Sequence, residues 1–130
     1  MKVIPHAEQR YDTIGDYWED ADGTWQFRVS DLGDWRYNYT VLLHEFLEYA
    51  LTKQAGISEQ SILNFDLAVP VNSPYADDPG FDPAAPYHKE HVFADSIERL
   101  MAPGLGITTR NAEVAMEALP NWTDLQGVRE

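Results

Sequence analysis

The chain has no cysteine. That absence excludes disulfides, thiolate nucleophiles and Cys-type zinc fingers. Any metal must therefore be held by His, Asp, Glu and carbonyl oxygens, a donor set that favours zinc, iron or manganese. No stretch reaches 18 consecutive apolar residues, and the opening MKVIPHAEQRYD lacks an apolar core. Neither a membrane span nor a signal peptide is expected, and the cytoplasm is the default location. Basic residues are scarce, 9 Lys and Arg against 22 Asp and Glu, for a formal net charge of −13. Such a chain repels phosphate backbones, so direct nucleic-acid binding is not expected. The acids are scattered rather than gathered in long runs, which reads as solubility before it reads as mimicry of DNA. Also missing are a phosphate-binding glycine loop, a Rossmann glycine set and a G-x-S-x-G elbow. The E-x-x-H pair that di-iron bundles require occurs nowhere.

What is present suits one domain spanning 1–130, since 130 residues can bury a core of their own. Residues 1–23 are acidic and turn-rich, with a turn expected at Asp22–Gly23. TWQFRVS then alternates, Trp25, Phe27 and Val29 on one face and Gln26, Arg28 and Ser30 on the other, as in a half-buried strand. DLGDW breaks it. A helix is expected over 39–54, stopped by Gly56, followed by a short helix capped at Ser58. Five of the eight prolines fall in 70–86 together with Gly80 and three aspartates, so that segment reads as a functional loop or a mobile excursion. Helical patterning resumes over 85–102, ends at Pro103–Gly104, and returns in 109–119 with Ala112, Ala115, Met116 and Leu119 on one stripe. The pattern predicts an α+β domain, mostly helical, with three to four helices and a small antiparallel strand element.

The chemistry concentrates in LLHEFLEYAL, residues 42–51. At 3.6 residues per turn, Glu48 falls about 40° from His44, and both sit among Val41, Leu47 and Leu51 in what should be an apolar stripe. An ionised carboxylate buried there without a partner is costly, so something must compensate it. A His–Glu ion pair with a structural role is one solution; a divalent cation is the other. Two ligands at i and i+4 supply half a zinc site, and a catalytic zinc takes a third protein ligand. Two of the other three histidines, His88 and His91, lie together in YHKEH. On the second long helix His91 shares a polar face with His88, Asp95 and Glu98, opposite Phe93, Ile97 and Leu100; by pattern alone this is a solvated face. If a cation is bound, Glu45 is placed to take a proton from water, and otherwise it is an ordinary solvated carboxylate.

TVLLHEFLEYAL after an alternating strand resembles the strand and active-site helix of zincin metallopeptidases. The resemblance implies His44 as first metal ligand and Glu45 as general base. Glu48 stands where that family has its second histidine. The longer pattern LLHEFLEYALTKQAGIS…FD…PYHKEH…A…IERL, over 40–107, is similar to small uncharacterised phage and prophage proteins. That similarity favours His91 over His88 as the third ligand, with Asp95 and Glu98 either orienting His91 or plain surface acids. Together these readings imply a Zn2+ site of His44, Glu48 and His91 that hydrolyses a peptide or amide bond of a peptide or protein substrate, with the loop 70–86 flanking the cleft. The other expectation is a non-enzymatic acidic interaction protein, whose His–Glu cluster is structural or whose metal only ties two helices together.

Overall fold

In a computed structural model, residues 1–127 are described. The strand that alternation predicts is β3, Trp25–Ser30, and it is central in a three-stranded sheet. β2, Gly15–Glu19, precedes it as the antiparallel partner, and Tyr17 lies opposite Phe27. The hairpin closes through Asp20–Thr24, where Gly23 takes a φ of 86° that residues with a Cβ avoid. β1, Lys2–Ile4, pairs with β3 on its other edge in parallel, so the sheet is mixed and not antiparallel as expected. The turn-rich composition of 1–23 hid both extra strands, which are only three and five residues long. Ser30, on the polar side of the alternation, is fully buried because a 3-10 turn at His6–Glu8 covers it. There His6 Nδ1 lies 2.7 Å from Ser30 Oγ, and the Gln9 amide donates to the same oxygen.

α1, Trp35–Ala55, starts four residues earlier than patterning suggested, because Asp34 caps it by accepting from the Arg36 amide. It ends as expected at Gly56, with φ 75°. α2, Glu59–Ala68, is capped by Ser58. Residues 70–86 are turns with one short 3-10 segment at Pro79–Phe81. α3, His88–Gly104, packs along α1. α4, Thr109–Glu117, follows, and its Ala115 and Met116, with Leu119 just beyond, pack onto Val29, Leu32 and Val41. α5, Trp122–Gly127, was not foreseen. No helix among the described residues is long and apolar enough to cross a membrane.

The sheet sets the register of the site. Along β2, alternate residues meet α1 one helical turn at a time: Gly15 lies against Glu45, Tyr17 against Glu48, and Glu19 against Tyr49 and Lys53. The strand advances about 6.6 Å per two residues and the helix about 5.4 Å per turn, so the two periods stay in step over this length.

The orientation of α3 reverses its sequence pattern. His91 and Ala94 are buried, at 8% and 0% exposure, whereas Phe93 and Leu100 face outward at 53% and 74%. The polar face expected in solvent is the one against α1. The cause lies on α1, whose inward stripe presents His44 and Glu48; an apolar face packed there would leave the carboxylate without sufficient partners. This orientation has a measurable consequence. Phe93→Ser and Leu100→Ser should each change unfolding free energy by less than about 0.5 kcal/mol, while Ala94→Leu should overpack and destabilise by about 1–3 kcal/mol. Urea titration of the three variants is the check, and large losses at Phe93 and Leu100 would mean the helix is turned the other way.

Candidate metal centre

Helix α1 supplies His44, Glu45 and Glu48 on consecutive turns, and α3 brings His91 across to them. His44 Nε2 lies 2.9 Å from Glu48 Oε2, His91 Nδ1 lies 2.8 Å from the same oxygen, and the two nitrogens are 3.2 Å apart. Three donor atoms thus form a compact triangle, and all three residues are buried. His88 is not part of it; its Nδ1 faces the Gly80 carbonyl at 2.9 Å and supports the loop. Of the two histidines in YHKEH, His91 lies in the cluster and His88 does not.

Each side chain of the triangle has a contact at its far end. Tyr17 donates its hydroxyl to Glu48 Oε1 at 3.0 Å, leaving Oε2 to the histidines. Glu98 Oε1 lies 3.1 Å from His44 Nδ1, and Asp78 Oδ1 lies 2.9 Å from His91 Nε2. Neither of these ring nitrogens has a well-aligned hydrogen bond, so the two contacts act chiefly as charge pairs. Such outer partners fix which nitrogen of an imidazole is free to bind a cation. Glu98 therefore serves His44 rather than His91, and Asp95 is held by Arg99 at 2.8 Å. Tyr17 and Asp78 were missed from sequence: the strand carrying Tyr17 was not recognised, and Asp78 is one of several aspartates in the proline-rich loop. That loop grips the third member closely. Phe81 meets the His91 ring edge-on at 4.8 Å, and Gly80 lies so close that a methyl group in its place would overlap the imidazole.

Burial disfavours charge on Glu48, yet hydrogen bonds from His44 and His91 outweigh it and hold the carboxyl well below its usual range. Burial likewise opposes protonation of the imidazoles. The bonds to Glu48 and the charge of Glu98 raise His44 to about 11, and Asp78 and Glu48 raise His91 to about 10. Glu45 shows the opposite behaviour. Burial first, then the neighbouring negative charge of Glu48, push its carboxyl well above the ordinary range. It lines the same cavity as the triangle, packed over Gly15, and makes no side-chain hydrogen bond among the described residues.

Comparison of the chain with family models, with curated proteins and with solved structures finds no match. The reading of this centre rests on its own geometry. The cavity beside it has a volume of about 1080 Å³, reaching from Tyr11 and Asp66 to Arg99 and Met116. That is room for a segment of peptide or a comparable organic ligand.

The charge state yields a prediction for metal-free protein. Raised imidazole values stabilise the fold fully below pH 6.5, and that contribution disappears as pH rises through 10 to 11. The lowered Glu48 value stabilises it above pH 4.5 and is lost as pH falls towards 2. In chelator, the melting temperature should fall by about 5 °C or more between pH 6.5 and 11, and Glu48→Gln should flatten that decline. Gly80→Ala should displace the His91 ring and lower metal affinity about 10- to 100-fold, measured by competition with a chromophoric chelator.

Proposed function

We propose that the chain is a zinc-dependent hydrolase of peptide or amide bonds, with a zincin-like helix in which His44 Nε2, Glu48 Oε2 and His91 Nδ1 are the metal ligands. The observation that supports this most is the triangle itself. A tetrahedral ion with bonds of 2.0–2.1 Å requires ligand atoms about 3.3 Å apart, and the three edges here are 2.8, 2.9 and 3.2 Å. A small outward adjustment of the side chains would admit the ion. Two imidazoles and one carboxylate suit zinc, and they leave net positive charge for electrophilic work.

A bound zinc ion supplies Lewis acidity, polarising a carbonyl and making water easier to deprotonate. The remaining steps belong to the protein. Glu45, one residue after the first ligand, accepts the proton from the attacking water and passes it to the leaving amine. Burial raises its affinity for a proton above that of an ordinary carboxylate, the direction a general base requires. Tyr17 holds Glu48 through one oxygen and so keeps the other directed at the ion. Asp78 and Glu98 favour protonation of the outer nitrogens of His91 and His44 through their charge. A protein whose cluster serves only as a buried ion network has no use for a carboxylate left unbonded on the wall of a large cavity.

Untagged protein should contain about one zinc per chain, and His44→Ala should contain almost none. Because both imidazoles carry protons in the metal-free state, zinc binding near pH 7 should release about two protons. Calorimetry in buffers of different ionisation enthalpy measures that number. Glu45→Gln should keep its zinc and lose about 100-fold or more of its hydrolysis of a quenched fluorogenic peptide library. Substoichiometric metal in both wild type and His44→Ala would overturn the metal reading. Zinc bound at full occupancy with no loss of rate in Glu45→Gln would overturn the assignment of the base.

A further inference from the structure

Of the carboxylates lining the cavity, Asp12, Glu59 and Asp77 are exposed and have no cation within ion-pair distance among the described residues, Glu45 belongs to the centre described above, and all the others but one are ion-paired. Asp16 is paired with Arg10, Asp95 with Arg99, Asp78 with His91 and Glu98 with His44. Asp66, on the last turn of α2, has no cationic partner within ion-pair distance among the described residues. Its Oδ1 accepts the Tyr87 hydroxyl at 2.5 Å, and its Oδ2 has no donor there. It is partly buried, and burial pushes its carboxyl up to about 6. Tyr87 borders it through that bond and Tyr11 lies within electrostatic range, as does Asp78, while Tyr17 and Leu63 line the same cavity. The Asp66 carboxyl is also within electrostatic range of Glu48 and His91, so this end of the cavity adjoins the metal centre.

A partly desolvated carboxylate beside tyrosine rings is complementary to one kind of ligand. The walls accept a methylene stem and attract a cation through the ring faces, and the carboxylate pairs with the charge itself. We propose that Asp66, with Tyr11, Tyr17, Tyr87 and Leu63, forms a recognition pocket for an ammonium or guanidinium group on an apolar stem, that is, a lysine or arginine side chain of the substrate. This rests on the reading of the adjoining centre as a peptide hydrolase, and it names the substrate class that centre receives. The acidity of the chain as a whole draws cationic peptides towards the cavity. Asp66 is the group that selects among them once there.

The test uses the full chain, zinc-loaded and carrying Glu45→Gln so that bound peptide is not turned over. Two blocked peptides serve as probes, Ala-Ala-Lys-Ala-Ala and the same sequence with norleucine for lysine. The lysine peptide should bind about tenfold more tightly, and Asp66→Asn should abolish the preference without changing zinc content. Glu8→Gln, which removes one exposed acid outside the cavity, should leave the preference intact. Equal binding of the two peptides, or a preference that survives Asp66→Asn, overturns the pocket. Full zinc occupancy with no lysine preference overturns the pocket alone; a lysine preference in protein that takes up no zinc supports the pocket and overturns the metal reading. Should Asp66→Asn fail to fold, the carbon-13 resonance of the Asp66 carboxyl in otherwise unaltered chain decides the matter. It should move with the lysine peptide and not with norleucine, and a resonance unmoved by either overturns the proposal.

Discussion

The Glu48 carboxylate is the constraint around which this molecule is arranged. It sits at 4% exposure on a helix face that packs inward, where a lone negative charge is not tolerated. Three residues from three other places answer it or hold it: His44 from the previous turn, His91 from α3 and Tyr17 from β2. Removing the charge problem would remove the reason for α3 to lie as it does. The packing of helix on helix here is set by polar satisfaction first and by apolar area second. Charged groups beyond the triangle extend the same logic, so that Glu98 and Asp78 balance the two imidazoles that balance Glu48.

A second constraint is geometric. The hairpin of β2 and β3 presents every other residue of β2 to α1, and the step of the strand roughly matches one turn of helix. Gly15, Tyr17 and Glu19 thereby become a matched set for Glu45, Glu48 and the Tyr49–Lys53 pair. The small residue of the set faces the carboxylate that has no side-chain hydrogen bond among the described residues. The large phenol faces the one that must be fixed. A side chain at residue 15 would fill the space Glu45 occupies, so the assignment of glycine and tyrosine along one strand separates the two glutamates into different chemical environments.

Much of the site was legible from the helical wheel. His44 and Glu48 interrupt an apolar stripe, and their need for a partner follows from elementary electrostatics. Counting the histidines available to a chain without cysteine narrowed the partner to His88 or His91, and the similarity to phage proteins favoured His91. The proline-rich segment was legible as a loop beside the site, although its individual contacts were not. The direction of α3 was ambiguous from pattern alone, which reads its His91 face as solvated; only the charge on the opposing stripe of α1 decides for burial of that face. Asp78 and Tyr17 act over long stretches of chain through side-chain tips, and local patterning carries no signal for that. The strands of the first 19 residues were lost for a simpler reason: they are three and five residues long and are stabilised by β3, not by their own composition.

The reversed helix also bears on how the chain reaches its native state. α3 carries two faces that could each be buried, one apolar and one ionisable, and only the second meets its match on α1. Early collapse is driven by apolar area and does not discriminate by charge pairing. A half-rotation of α3 would bury Phe93 and Leu100 while leaving Glu48 short of a partner, a compact but frustrated arrangement. His91 therefore marks the native rotation of α3 energetically, and an ion arriving at the triangle would deepen that basin relative to its rotated competitor.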